Sequence, residues 1–103
     1  MPHNRRPIRI DYRDREMLHP TGKLIDLDTG IEIKSCYRFD ERTGDWARYV
    51  RIDGRLQLNA YGPLTEEGHG NIWFEPYGLG GAEMVRVIED KQYGDADATQ
   101  EKA

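Results

Sequence analysis

Few side chains in this chain could do chemistry, and their spacing limits what that chemistry would be. Asp28-Thr29-Gly30, between Leu27 and Ile31, joins a carboxylate, a hydroxyl and a glycine. Acid hydrolysis can be built on such a triplet when two copies bring two carboxylates to share one proton. Asp26, Asp28 and Glu32 gather carboxylate oxygens of the kind a hard cation binds. His3, His19, His69 and Cys36 are the available soft ligands and nucleophiles. Gly78-Leu79-Gly80-Gly81 is bare enough for a phosphate to approach its backbone. Arg38, Arg42, Arg48, Arg51 and Arg55, with Tyr37, Trp46 and Tyr49, form the basic and aromatic mixture that single-stranded nucleic acid favours.

Each of these meets a physical objection. The triplet resembles the aspartic-protease motif, and small proteases of that family dimerise at about this length. Here Ile31 follows where that family has a small residue, and no later apolar-apolar-glycine segment braces the loop. A hairpin turn accounts for the three residues without catalysis. The carboxylate group lacks the central glycine and distal glutamate of a calcium loop, and Asp26 and Glu32 fall on the polar face of their strands. No His or Cys pair stands at C-x2-C or H-x3-H spacing. Cys36 is expected on the strand face opposite Ile33 and Tyr37, beside Arg38 and Tyr49, as an inert thiol. The glycine run brings no Lys and leads into a strand pattern rather than a helix. Asp40, Glu41, Asp45 and Asp53 neutralise the arginine-rich segment, so counterion release there is weak and nucleic acid is not an expected partner. The reading is therefore of a non-enzymatic chain without a metal or a cofactor.

Length and composition agree with a small binding domain. The 103 residues suit one domain, with 33% charged and 37% hydrophobic residues. Mean hydropathy is −0.86. The net charge of −4 is unevenly spread. Residues 1–25 hold six Lys or Arg against three acids, and residues 64–103 hold three against nine. Solvated ends are the plain reading of that polarity, and head-to-tail contact between copies, or contact within the chain, is the other. The one cysteine excludes an intrachain disulfide. No apolar run approaches the roughly 20 residues that cross a bilayer. The first residues are not those of a signal peptide, so a cytoplasmic site of synthesis and residence is expected.

The elements that must position these residues are short hairpins. Ile25, Leu27, Ile31 and Ile33 are all odd-numbered, which predicts a three-residue loop at Asp28-Thr29-Gly30. Phe39 is odd and Trp46, Val50 and Ile52 are even, which predicts a four-residue loop, Glu41 to Gly44, with Phe39 opposite Trp46. Val50, Ile52, Leu56 and Leu58 share parity, which predicts a three-residue connection at Asp53-Gly54-Arg55 rather than a two-residue turn. A meander over about 23–27, 31–39, 45–52 and 56–61 results, ended by Gly62-Pro63. Residues 8–12 and 72–74 read as further strands, and Met84 to Ile88 as the last. The fold class is mainly β, a small antiparallel barrel or sandwich built on a hairpin meander. Residues 1–7 form an arm, 8–88 the domain and 89–103 a polar, mobile tail.

The non-core face of the meander carries Cys36, Ala47 and Tyr49 beside Lys34, Arg38 and Arg51, a mixture enriched where proteins meet. The cluster Ile72, Trp73, Phe74, Pro76 and Tyr77 adds aromatics near a loop. Candidate contact residues are Arg5, Arg6, Arg38, Tyr49, Arg51, Trp73, Phe74 and Tyr77. The stretch from Leu24 to Ile33, then Cys36 to Phe39, Arg48 to Arg51 and Asp53-Gly54, resembles short β-rich proteins encoded by bacteriophages and prophages. That resemblance covers about forty residues. It implies a virion-associated structural protein, a capsid decoration or connector component, whose partners are capsid or tail subunits or further copies of itself. A phage-encoded inhibitor or adaptor of a host protein is the alternative, and a nucleic-acid-binding barrel is a third.

Overall fold

The computed structural model describes residues 5–102, with side chains described for residues 5–94. In chain order its elements are β1 (Arg9–Asp11), β2 (Gly22–Asp26), β3 (Glu32–Ile33), β4 (Cys36–Asp40), β5 (Asp45–Tyr49), β6 (Arg51–Ile52), β7 (Arg55–Leu56), β8 (Leu58–Asn59), β9 (Gly62–Pro63), β10 (Thr65–His69), β11 (Ile72–Pro76) and α1 (Gly78–Lys102). The fold is mainly β, as the turn pattern implies, and its ladders are antiparallel. The first sheet has the order β1-β4-β5-β10 and the second β11-β2-β3. They meet as a sandwich without barrel closure. Phe39 of one sheet stacks on Phe74 of the other, with ring centroids 5.3 Å apart. Ile8, Ile10, Leu24, Ile33, Ile72, Val85 and Ile88 complete that single core.

The β4–β5 turn follows its residue types. Glu41 to Gly44 form the loop, Asp40 faces Asp45 and Phe39 faces Trp46. Gly44 takes φ of 88°, where a Cβ would be strained. Trp46 lies across Gly68 of β10, and any Cβ there would collide with the indole.

The other two loops differ from the parity argument. The β2–β3 loop has four residues, Leu27 to Gly30, closed by the Asp26 amide on Ile31 O and the Gly30 amide on Asp26 O. Leu24 therefore faces Ile33 in the core, while Ile31 points to solvent. One extra loop residue moves every side chain of a strand to its other face. At Asp53-Gly54 the register is Ile52 against Arg55, with both turn residues at positive φ. This is the two-residue hairpin that Asp-Gly favours. Leu56 and Leu58 do not enter the core, so no burial opposes the preference of the turn.

Residues 56–61 do not form the fourth meander strand. β10 takes that place beside β5, and residues 50–64 project as two short hairpins, β6–β7 and β8–β9. Three backbone bonds close a ring at their base: Val50 N–H to Leu64 O, Gln57 N–H to Val50 O, and Leu64 N–H to Gln57 O, at 2.8–3.0 Å. Gly62-Pro63 pairs with β8 instead of ending the sheet.

Met84 to Ile88 is helix, not strand. Among the described side chains, Gly81, Val85 and Ile88 are its buried positions, at helical spacing. Residues 89–102, expected as a mobile tail, continue this helix. Its side chains hold the N-terminal segment. Gln92 donates to Arg9 O at 2.7 Å and accepts from the Arg9 amide at 3.0 Å, pairing like a strand along the edge of β1. The Tyr93 hydroxyl donates to Pro7 O, and Glu89 accepts from the Arg6 amide and its guanidinium. Met1 to Asn4 of the expected arm, and Ala103, lie outside the described residues.

Candidate functional site

A β-bulge at Tyr37 decides which side chains face outward. Cys36 pairs with Arg48, but Arg38 pairs with Ala47, so the strand shifts by one residue between them. The shift corrects the expected placement of Cys36. Its thiol packs against the core and donates to Arg38 O at 3.0 Å. Tyr37 instead lies against Tyr49, with centroids 4.7 Å apart, and Arg13 covers its ring. Arg38 is paired with Glu67 at 2.6 Å.

The expected contact residues do not form one surface. Arg5, Trp73 and Phe74 come together around Glu41. The Arg5 guanidinium donates to both Glu41 oxygens at 2.6 and 2.9 Å and to Phe74 O at 2.6 Å, and it stacks over Trp73. Phe74 is a core side chain, 2% exposed. Arg6 meets Glu89 and the ring of Tyr93. Tyr49 and Arg51 line a groove of about 400 Å³ with Lys34, Ser35, Arg48 and Glu66. Arg51 donates to Ser35 Oγ there at 2.9 Å, and Arg48 pairs with Glu66 at 2.6 Å.

Tyr77 is half-exposed at the mouth of a larger cleft, about 590 Å³, between β3, β4 and the segment before β2. Leu24, Ile33, Phe39 and Phe74 give it apolar lining, His19, Lys23, Glu32, Lys34 and Ser35 add polar and charged groups, and the polar atoms of Tyr12 and Cys36 line it as well. Those atoms are engaged within the chain: the Tyr12 hydroxyl donates to Pro20 O at 2.7 Å and the Cys36 thiol to Arg38 O. Burial pushes the Tyr12 hydroxyl up to about 12, helped by the neighbouring Cys36, and burial also raises the Cys36 thiol. As pH climbs from 10 to 12, the unfolded chain releases the Tyr12 proton before the folded chain does. Stability that is fully present below pH 10 is therefore lost across that window. Spectrophotometric titration should show a late tyrosinate phase near pH 12 that Tyr12→Phe removes. Survival of that phase in the variant would assign it elsewhere.

The Asp28-Thr29-Gly30 triplet occupies the exposed β2–β3 turn, where the Asp28 amide donates to Asp26 Oδ1. The His69 ring meets Asp45 at 2.9 Å on the surface. Among the described residues, no three His, Cys, Asp or Glu side chains converge as a metal ion would need. Nor is any helix among them long and apolar enough to cross a membrane.

The most unusual surface is the projecting lobe, residues 50–64. Tyr61 is 98% exposed, Leu58 67% and Ile52 58%, and Leu56 and Leu64 are also exposed. Isolated two-stranded hairpins are marginal in water, and these have two-residue strands. Exposed apolar side chains grouped in this way make the lobe a candidate contact surface. Sequence parity assigned Leu56 and Leu58 to the core. The usable signal was the Asp53-Gly54 pair, which demands a tight hairpin whatever its flanks do. A mainly β, two-sheet domain with an apolar lobe is the class that fold and surface define. Compared with protein-family models, with curated proteins and with solved structures, the chain gives no match.

Proposed function

We propose that this chain is a non-enzymatic protein-interaction domain that docks through its two-hairpin lobe, as an accessory of a phage particle such as a capsid decoration or connector component. The observation that carries the docking reading is the exposure of Ile52, Leu58 and Tyr61 on a lobe with no core of its own. Burial by a partner would stabilise each by about 1.5–3 kcal/mol before the costs of association. The phage context is supported by the resemblance of residues 24–54 to short phage-encoded β proteins. At the base of the lobe Glu66 pairs with Arg48, which weakens the positive field that a nucleic-acid partner needs.

The test is cosedimentation with assembled phage particles, or with their separate capsid and tail subunits. The double variant Leu58→Asp, Tyr61→Asp should lower binding at least tenfold and leave the melting temperature almost unchanged, because both residues are exposed. Binding that ignores this variant, or no binding to any particle component, would sink the proposal.

A further inference from the structure

We infer that the groove at the base of the lobe is a carboxylate socket, and that the lobe's partner is a protein segment presenting an aspartate or glutamate beside apolar side chains. The inference rests on the lobe being a docking surface, and it names the chemistry of what docks there. The groove, about 400 Å³, is lined by three cations, Lys34, Arg48 and Arg51, against one carboxylate, Glu66. Arg48 places its Nε and Nη2 on that carboxylate, at 2.8 and 2.6 Å. Lys34 and Arg51 have no carboxylate partner among the described residues. The nearby acids do not restore the balance. Glu67 is held by Arg38 at 2.6 Å, and Glu32 and Asp53 lie outside the groove lining.

Hydrogen bonding shows the same shortage of acceptors. The Tyr49 amide donates to Ser35 O at 3.0 Å, and Ser35 sits at φ of 62°, uncommon for a residue other than glycine. Such positions cluster where ligands are clamped. Ser35 Oγ accepts from Arg51 Nε at 2.9 Å, so its own proton is left to donate. The other bond of Arg51, to Gly54 O, is long at 3.5 Å. The Ser35 hydroxyl, the Lys34 ammonium and the outer N–H groups of Arg51 therefore border one groove with donors to spare. A carboxylate supplies two charged acceptor oxygens to such a set. Ser35 already steadies the guanidinium, which lowers the ordering cost of binding. Position selects a protein as the source. Arg51 adjoins Ile52 in β6, and Tyr49 and Val50 wall the groove, so an occupant continues onto the exposed apolar side chains of the lobe. Free phosphate has no apolar part to place there, and a nucleic-acid strand draws its affinity from many phosphate contacts.

NMR titration of the isotope-labelled full chain tests this, with a blocked tetrapeptide of two glutamates between two leucines as the probe. The amides of Ser35, Arg51 and Gly54 and the Arg51 Nε–H should shift. The counterpart with glutamine in place of glutamate should bind about tenfold more weakly. Lys34→Gln with Arg51→Gln, at two exposed positions, should weaken the glutamate peptide by about the same factor and leave the melting temperature unchanged. No shifts at millimolar peptide, equal binding of the glutamine peptide, or binding that ignores the Lys34 and Arg51 substitutions would each overturn the socket. Inorganic phosphate or a thymidine oligonucleotide binding these residues more tightly than the peptide would overturn the choice of a protein carboxylate. Particle binding that depends on Leu58 and Tyr61 but not on Lys34 and Arg51 would sink the socket and leave the lobe a docking surface. Glutamate-dependent peptide binding without binding to any particle would do the reverse, sinking the phage-particle reading and supporting the socket.

Discussion

Replacing Glu41 by alanine should destabilise the fold by about 3–5 kcal/mol, the range for removing one partner of a buried ion pair. Its side chain is fully buried, with 0% exposure, although it sits in a hairpin turn. Four donors converge on the carboxylate. Oε1 accepts from Arg5 at 2.6 Å and from the Ile8 amide at 2.8 Å, and Oε2 accepts from Arg5 at 2.9 Å and from the Phe74 amide at 2.6 Å. The Glu41 amide also donates to Ile8 O. One side chain thus ties the β4–β5 turn to the N-terminal segment and to β11. Without it, a mostly buried guanidinium and two backbone amides lose their acceptor together. Arg5→Ala should cost less, since the carboxylate keeps both amides as donors. Chemical denaturation of the two single variants and the double variant measures the coupling between them. For a domain of this size the Glu41→Ala loss corresponds to roughly 12–40 °C in melting temperature. A loss under about 1 kcal/mol would show that the closed geometry is not maintained in solution.

Ending the chain after Ile88 should cost about 2–4 kcal/mol, against the expectation that residues 89–103 are dispensable for folding. The cut removes Glu89, Gln92 and Tyr93, which together make five hydrogen bonds to Arg6, Pro7 and Arg9. Each bond of this kind is worth about 0.5–1.5 kcal/mol net, and water replaces part of what is lost at the exposed edge of β1. Hydrogen exchange gives a local check. The Arg9 amide, held by the Gln92 side chain, should lose its protection in the shortened chain and also in Gln92→Ala, while amides of the β4–β5 ladder keep theirs. If the shortened chain melted with the full chain, the helical end would be an ornament and the arm of residues 5–7 would be held by the contacts of Arg5 with Glu41, Phe74 and Trp73.

Interior and exposed apolar side chains look alike in a sequence, and the difference decides what could be read. The turn from Glu41 to Gly44 was legible because two local demands agree there: Gly44 supplies the positive φ, and Phe39 and Trp46 both belong to the core side of the sheet. The mainly β class followed from such turns and from short alternating runs. The parity argument broke at Ile31, Leu56 and Leu58 because it assumes that each apolar residue faces the core, and these three face water. It broke again at Cys36 because a bulge, which has no local signature here, moves the strand by one residue.

The start of α1 was misread for a related reason. Met84, Val85, Val87 and Ile88 are four apolar residues in a run of five, which fits strand or helix, and what makes the helical spacing of Val85 and Ile88 decisive is the core that receives them. Gln92 and Tyr93, further along the helix, are held by polar groups meeting the chain more than eighty residues away. Pairing of Arg5 with Glu41 belongs to the same class. Neither residue type nor spacing connects an arginine in an N-terminal arm to a glutamate in a hairpin turn, since surface ion pairs of no consequence have the same composition. Local turn chemistry is written in neighbouring residues and can be read from them. Burial of a charge depends on what the rest of the chain brings around it, so the Glu41 centre and the outward lobe were decided only when the two sheets closed on each other.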